Sequence, residues 1–192
     1  GALLAFLYKG ASMTFAAAYN SLFLLYAALF SASLFAVILV MTSIDAGSLS
    51  KRIKPGFPHK AIAVFLFIAG IGTLSIWMSE VLPSISNGNA PEILGPYTTL
   101  FTHGFDSAII TPACIIAGVN LLKKRPLGYL LAAPMLLLCT QIGLVVIGQT
   151  VYQSLAGFVF PIGTYIGLIG SWVVMGTFAT SLAISFFRHV SA

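Results

Sequence analysis

Long apolar runs alternate with short polar breaks along the whole chain. The runs cover roughly residues 2–19, 21–42, 59–82, 97–122, 126–151 and 158–187. Each is close to the roughly 20 residues that a helix needs to cross a bilayer. They are continuously apolar rather than alternating in polarity, which argues against a β-barrel. The pattern predicts an all-α, polytopic transmembrane bundle with about six spans, in a single domain covering residues 1–192. Asn20 and Ser21 alone separate the first two runs, so these helices are expected to be antiparallel neighbours joined by a tight turn. Residues 43–58 form a loop that holds Gly47, Pro55, Gly56 and Pro58, a density of helix breakers that stops the second run. Pro126 suits the first turn of the fifth helix, where its missing N–H costs nothing. The link at 152–157 is short, and no loop is long enough to be a soluble domain.

Composition strengthens this picture. Of 192 residues, 59% are hydrophobic and 7% are charged, whereas soluble domains carry about 25% charged residues. The net charge of +5 comes without any free basic domain, so nucleic acid is not an expected partner. Instead, Lys51, Arg52, Lys54, Lys60, Lys123, Lys124, Arg125 and Arg188 gather at run ends that alternation places on one side. They are eight of the nine Lys and Arg residues. The opposite side carries Glu80 and Glu92. The positive-inside rule then predicts a cell-membrane protein with the 43–58 loop, the 123–125 turn and the C-terminus in the cytoplasm. Trp77, Tyr97 and Tyr152 near one boundary, and Tyr129 near the other, read as aromatic belts.

Several stretches resemble an uncharacterised group of multi-pass bacterial integral membrane proteins. They are LFLLYAALFSASLFAVI (22–38), SID (43–45), FPHKAIAVFLF (57–67), GPYTTL (95–100) running on to Asp106, and PACIIAGVNLLKKRPLGYLLA (112–132). The likeness extends to about residue 155. It implies the polytopic architecture and further membrane-spanning segments ahead of Gly1, and it carries no activity. It also implies an uncharged polar residue where this chain has Lys9.

The fourth run holds the candidate chemistry. Thr99, Thr102, His103 and Asp106 recur at i, i+3, i+4 and i+7, and on a helix fall within about 100° of one another. Asp106 lies nine residues from Tyr97, or roughly 13 Å of helix rise. An aspartate near mid-membrane costs on the order of 3 kcal/mol on insertion scales, so a partner or water must compensate it. One reading is a proton, ion or solute site; the other is a helix–helix clasp satisfied by Thr, Ser or Gln. His103, one turn away, either shares a proton with Asp106 or simply donates to it. Lys9, at similar depth on the first run, is a candidate ion-pair partner. Glu80 reads either as a solvated boundary residue or as a second acid of the site. Gln141, Gln149 and Gln153 mark one side of the fifth helix and read as interhelical hydrogen-bonding groups. Gly163, Gly167 and Ser171 form a small-residue ladder suited to close helix contact, within the bundle or between subunits.

Cys114 and Cys139 lie in apolar runs and read as small buried side chains. No hydrolase, nucleotide or EF-hand motif and no clustered ligand set is present, so the sequence calls for no cofactor and no metal. Three functions remain open. The first is transport of a small solute, ion or proton along a polar path at the fourth span. The second is a non-catalytic membrane subunit that forms a homo-oligomer or meets a membrane partner through the 163–171 ladder and the 43–58 loop. The third is a membrane enzyme acting on a lipid-type substrate, with Glu80 and Asp106 as its acids.

Overall fold

The fold, taken from a computed structural model, is described for residues 1–94, 97–159 and 161–191. It is an all-α bundle with five helices long and apolar enough to cross a membrane. In chain order the helices are α1 (Ala2–Phe15), α2 (Phe23–Ser43), α3 (Ala46–Lys51) and α4 (His59–Asn87). They continue with α5 (Phe101–Leu122), α6 (Pro126–Leu155) and α7 (Tyr165–Arg188). The first apolar run makes a shorter helix than its pattern suggests. α1 has 14 residues, about 21 Å, against a hydrocarbon core of about 30 Å. Asn20 explains part of this, because its side-chain Oδ1 accepts the Leu22 N–H at 2.9 Å and turns the chain. α1 and α2 pack as a hairpin in which Gly10 meets the Phe30 backbone; a Cβ there would sit 2.9 Å from Phe30 Cα. α2 buries only Ser33. An apolar surface on every side suits a helix surrounded by lipid.

The 43–58 loop contains α3, because Asp45 supplies a cap. Its carboxylate accepts the Gly47 and Ser48 N–H groups at 2.9 and 3.2 Å. The Ser48 hydroxyl, followed by these two N–H groups, holds the Asp45 carboxyl below its ordinary range. The same loop meets the chain's last residues: Lys54 N–H donates to His189 O at 2.8 Å and Ser191 N–H to Arg52 O at 2.9 Å. Phe57 inserts edge-on between the rings of Tyr129 and Phe186, and His59 Nε2 lies 2.8 Å from the Tyr129 hydroxyl. These contacts draw the starts of α4 and α6 and the end of α7 together. Lys51, Arg52, Lys54, Lys60 and Arg188 therefore share one end of the bundle.

Above this basic end lies a tightly packed core. Ile62, Leu66, Cys114, Ala117, Leu121, Ala132 and Leu136 are each 0% exposed. Glycine permits the closest approaches. Gly128 rests on the backbone of Asn120 and Leu121, and Gly143 of α6 faces Gly176 of α7. α4 and α5 are fastened where the buried Thr111 hydroxyl donates to Gly70 O at 3.0 Å. Thr111→Val keeps the shape and removes that bond. The expected cost is about 1 kcal/mol, read as a lower thermal midpoint of the detergent-solubilised protein. No change in midpoint would mean the bond adds nothing.

α4 runs on through Pro83 to Asn87 and stops at Gly88, whose φ of +68° is a left-handed helix ending. Membrane helices tolerate internal proline where neighbours re-satisfy the freed carbonyl. α5 widens into a π-helical turn at Asp106–Ile110, directly before Pro112. Proline lacks an N–H, and its ring collides with the carbonyl four residues earlier in an α-helix; a wide turn relieves both.

Candidate functional site

Asp106 opens the π turn of α5 and is 6% exposed. Trp77 of α4 donates its indole Nε1–H to Asp106 Oδ2 at 3.0 Å. Tyr8 of α1 borders the same cavity and acts electrostatically on Asp106. The carboxylate thus gathers side chains from three helices, and its hydrogen-bond donor is an indole where Thr, Ser or Gln were expected. The indole is an amphipathic ring, whose apolar body suits the bundle while the polar tip needs a partner.

His103 does not bond to Asp106. It is buried, its ring lies against Trp77 with centroids 3.9 Å apart, and its Nδ1 is 3.3 Å from the Thr102 hydroxyl. His103 Nε2 is buried without a hydrogen-bond partner among the described residues. Its role here is to stack on and orient the indole that holds the carboxylate. Thr99 falls outside the site, because α5 begins at Phe101 and Thr99 lies in an exposed bend before it. The polar stripe therefore starts at Thr102. Glu80 is exposed and close enough to His103 to act on it electrostatically, but it is no part of the Asp106 cluster.

A cavity of about 590 Å³ borders the carboxylate. Tyr8 and Lys9 of α1, Trp77 of α4, and Thr102 and Asp106 of α5 form one side of it. α6 contributes Gln141, Gln149 and Gln153, which rise at four- and eight-residue steps along one face. Trp172 of α7 and Ile93, in the short helical turn Glu92–Leu94 of the loop after α4, complete the wall. From Gln141 to Gln153 the cavity follows about 18 Å of helix. It reaches the loop at the end far from the basic residues, and it stops at the packed core. The volume falls within the roughly 300–1,000 Å³ of small-molecule sites, and most of the lining side chains are apolar.

Lys9 and Asp106 line the same cavity but form no ion pair. Lys9 has no hydrogen-bond or ion-pair partner among the described residues. The three glutamines face the cavity rather than a neighbouring helix, and Gln141 Oε1 is buried without a partner. Gly163 and Gly167 have no heavy atom near their missing side chains, and Ser171 is exposed, so the ladder makes no close contact inside this chain. The close α6–α7 contact is at Gly143 and Gly176 instead.

Sequence reasoning missed Tyr8 and Trp172 as members of the site and placed Trp77 at the membrane boundary. Tyr8 carried a weak signal, since it is next to Lys9. Trp172 carried none. A second hollow, about 480 Å³, lies between α6 and α7 and is walled by Leu137, Ile184 and Phe187, with Arg188 at its rim and no acid. Among the described residues no group of three or more His, Cys, Asp or Glu is placed to hold a metal ion. Comparison with protein-family models, curated proteins and solved structures finds no match.

Proposed function

We propose that this chain is a membrane protein that receives a small solute or ion in the Asp106 cavity and moves it across the bilayer. The supporting observation is a buried carboxylate held by Trp77 that lines a cavity inside the bundle. A carboxylate needed only as a clasp gains nothing from bordering open space, whereas a binding group must do so. The packed core below the cavity rules out an open pore in this conformation, so transport requires the core to part while the cavity closes. On this reading the basic end is cytoplasmic and the cavity faces outward.

A subunit role is the second reading. It rests on the lipid-like surface of α2 and on the uncovered Gly163 and Gly167. The enzyme reading has less support, because the hollow with a basic rim has no acid beside it.

Access separates the first two readings. Cys114 and Cys139 are buried, so background thiol labelling is low. A charged, membrane-impermeant methanethiosulfonate is expected to modify Gln149→Cys from outside and to leave Leu66→Cys untouched. Absence of labelling at 149 would mean the cavity is closed to water, and the subunit reading would take over. In a second arm, proteoliposomes are expected to take up at least one radiolabelled solute from a panel of cations, anions and zwitterions, and Asp106→Asn abolishes it. Labelling without uptake leaves a binding site and removes transport.

A further inference from the structure

We propose that the cavity selects a small zwitterion, its ammonium on Asp106 and its anionic group on Lys9, with its apolar part against the wall that holds Trp77 and Trp172. The inference rests on the reading of the cavity as a solute site. Its first support is the unequal treatment of the two charges. Asp106 already accepts from Trp77, which leaves room on a carboxylate that offers about four lone-pair positions. Lys9 offers three N–H donors and spends none on the described residues. Two opposite charges bordering one cavity and not touching each other are a receptor for a molecule carrying both.

Charge balance gives the second support. With a zwitterion bound, the buried Asp106 and the exposed Lys9 each gain a counter-charge and the cavity stays neutral. A simple cation would satisfy Asp106 and leave Lys9 uncompensated, and a simple anion would do the reverse. The penalty for an uncompensated charge falls on Asp106, which is the buried one of the two. The walls supply the rest. Trp77 and Trp172 have ring centroids 6.3 Å apart, and Ile142 and Val146 continue the apolar lining. The unpartnered Gln141 Oε1 is a further acceptor on a residue that lines the cavity. The volume, about 590 Å³, suits a molecule of amino-acid size or a little larger.

A free amino acid and the headgroup of phosphatidylethanolamine share this chemistry. The chain's two tryptophans both line the cavity, so intrinsic fluorescence reports occupancy directly. The full chain in nanodiscs of phosphatidylglycerol is titrated with leucine, with leucinamide (cation only) and with N-acetyl-leucine (anion only). Leucine is expected to bind about tenfold tighter than either analogue. Lys9→Met should erase the preference over leucinamide, and Asp106→Asn the preference over N-acetyl-leucine. In the lipid arm, nanodiscs containing phosphatidylethanolamine are compared with those lacking it. A fluorescence change on adding this lipid that Lys9→Met abolishes makes the headgroup the source, while leucine selectivity without it makes the source a soluble zwitterion.

Equal affinity for all three compounds, or a response to neither leucine nor the lipid, would overturn the proposal. If impermeant reagent still modifies Gln149→Cys in that event, the solute-site reading survives and zwitterion selection alone is lost. A folding defect in Lys9→Met is recognised by its elution profile, and Lys9→Gln then serves in its place.

Discussion

Gly128→Ala is expected to lower stability by about 3 kcal/mol or more, at the upper end of overpacking penalties. A Cβ at this position would collide with Leu121 N and lie 2.6 Å from Asn120 C. Both are backbone atoms of α5, so no side chain can swing aside to make room. The hairpin through Lys123, Lys124 and Arg125 would have to splay, and splaying would loosen Leu121, Ala132 and Leu136 in the core. Gly148→Ala is the matched control on the same helix, because nothing lies within 4 Å of its missing Cβ; alanine is even the better helix former there. Thermal unfolding of the two detergent-solubilised variants provides the comparison. Similar midpoints would mean that α5 and α6 do not meet at Gly128.

The largest functional effect is expected at Asp106. Asp106→Asn keeps an oxygen that accepts the Trp77 indole N–H and removes a charge that costs on the order of 3 kcal/mol at this depth. It also weakens the charge-assisted hydrogen bond from Trp77 by about 1 kcal/mol. The terms oppose one another, so stability should stay within about 2 kcal/mol of the parent. Solute binding, which needs the full negative charge, should fall about 100-fold. Trp fluorescence titration and thermal unfolding measure the two quantities on one sample. A stability loss of several kcal/mol with binding intact would assign Asp106 to holding helices together rather than to a ligand.

The helices were legible because a bilayer demands long uninterrupted apolar runs, and such runs are visible without any tertiary knowledge. Position along the chain also placed Asp106 and Lys9 at similar depth, and both do line one cavity. The partners of Asp106 were not legible. Trp77 is 29 residues away, and its indole could equally have anchored in a headgroup layer; sequence carries depth but not rotation. The glycines illustrate the same gap. Gly163 and Gly167 repeat at helical spacing more regularly than Gly143 and Gly176, yet the second pair makes the contact. In lipid, the apolar surface facing a neighbour and the apolar surface facing an acyl chain have nearly the same composition. Thr99 was misplaced because helical periodicity was extended back from Asp106 through a segment that has not yet begun to coil.

The wide turn at Asp106–Ile110 fits one more residue into α5 than a regular helix of the same length would hold. Thr102 and Asp106 on one side of it, and Cys114, Ala117 and Leu121 on the other, consequently follow two different phases. The surplus residue lets the lower half keep its grip on α4 and α6 while the upper half aims its acid at the cavity. The orientation of Asp106 and the packing of Cys114, Ala117 and Leu121 are thereby set separately within a single helix.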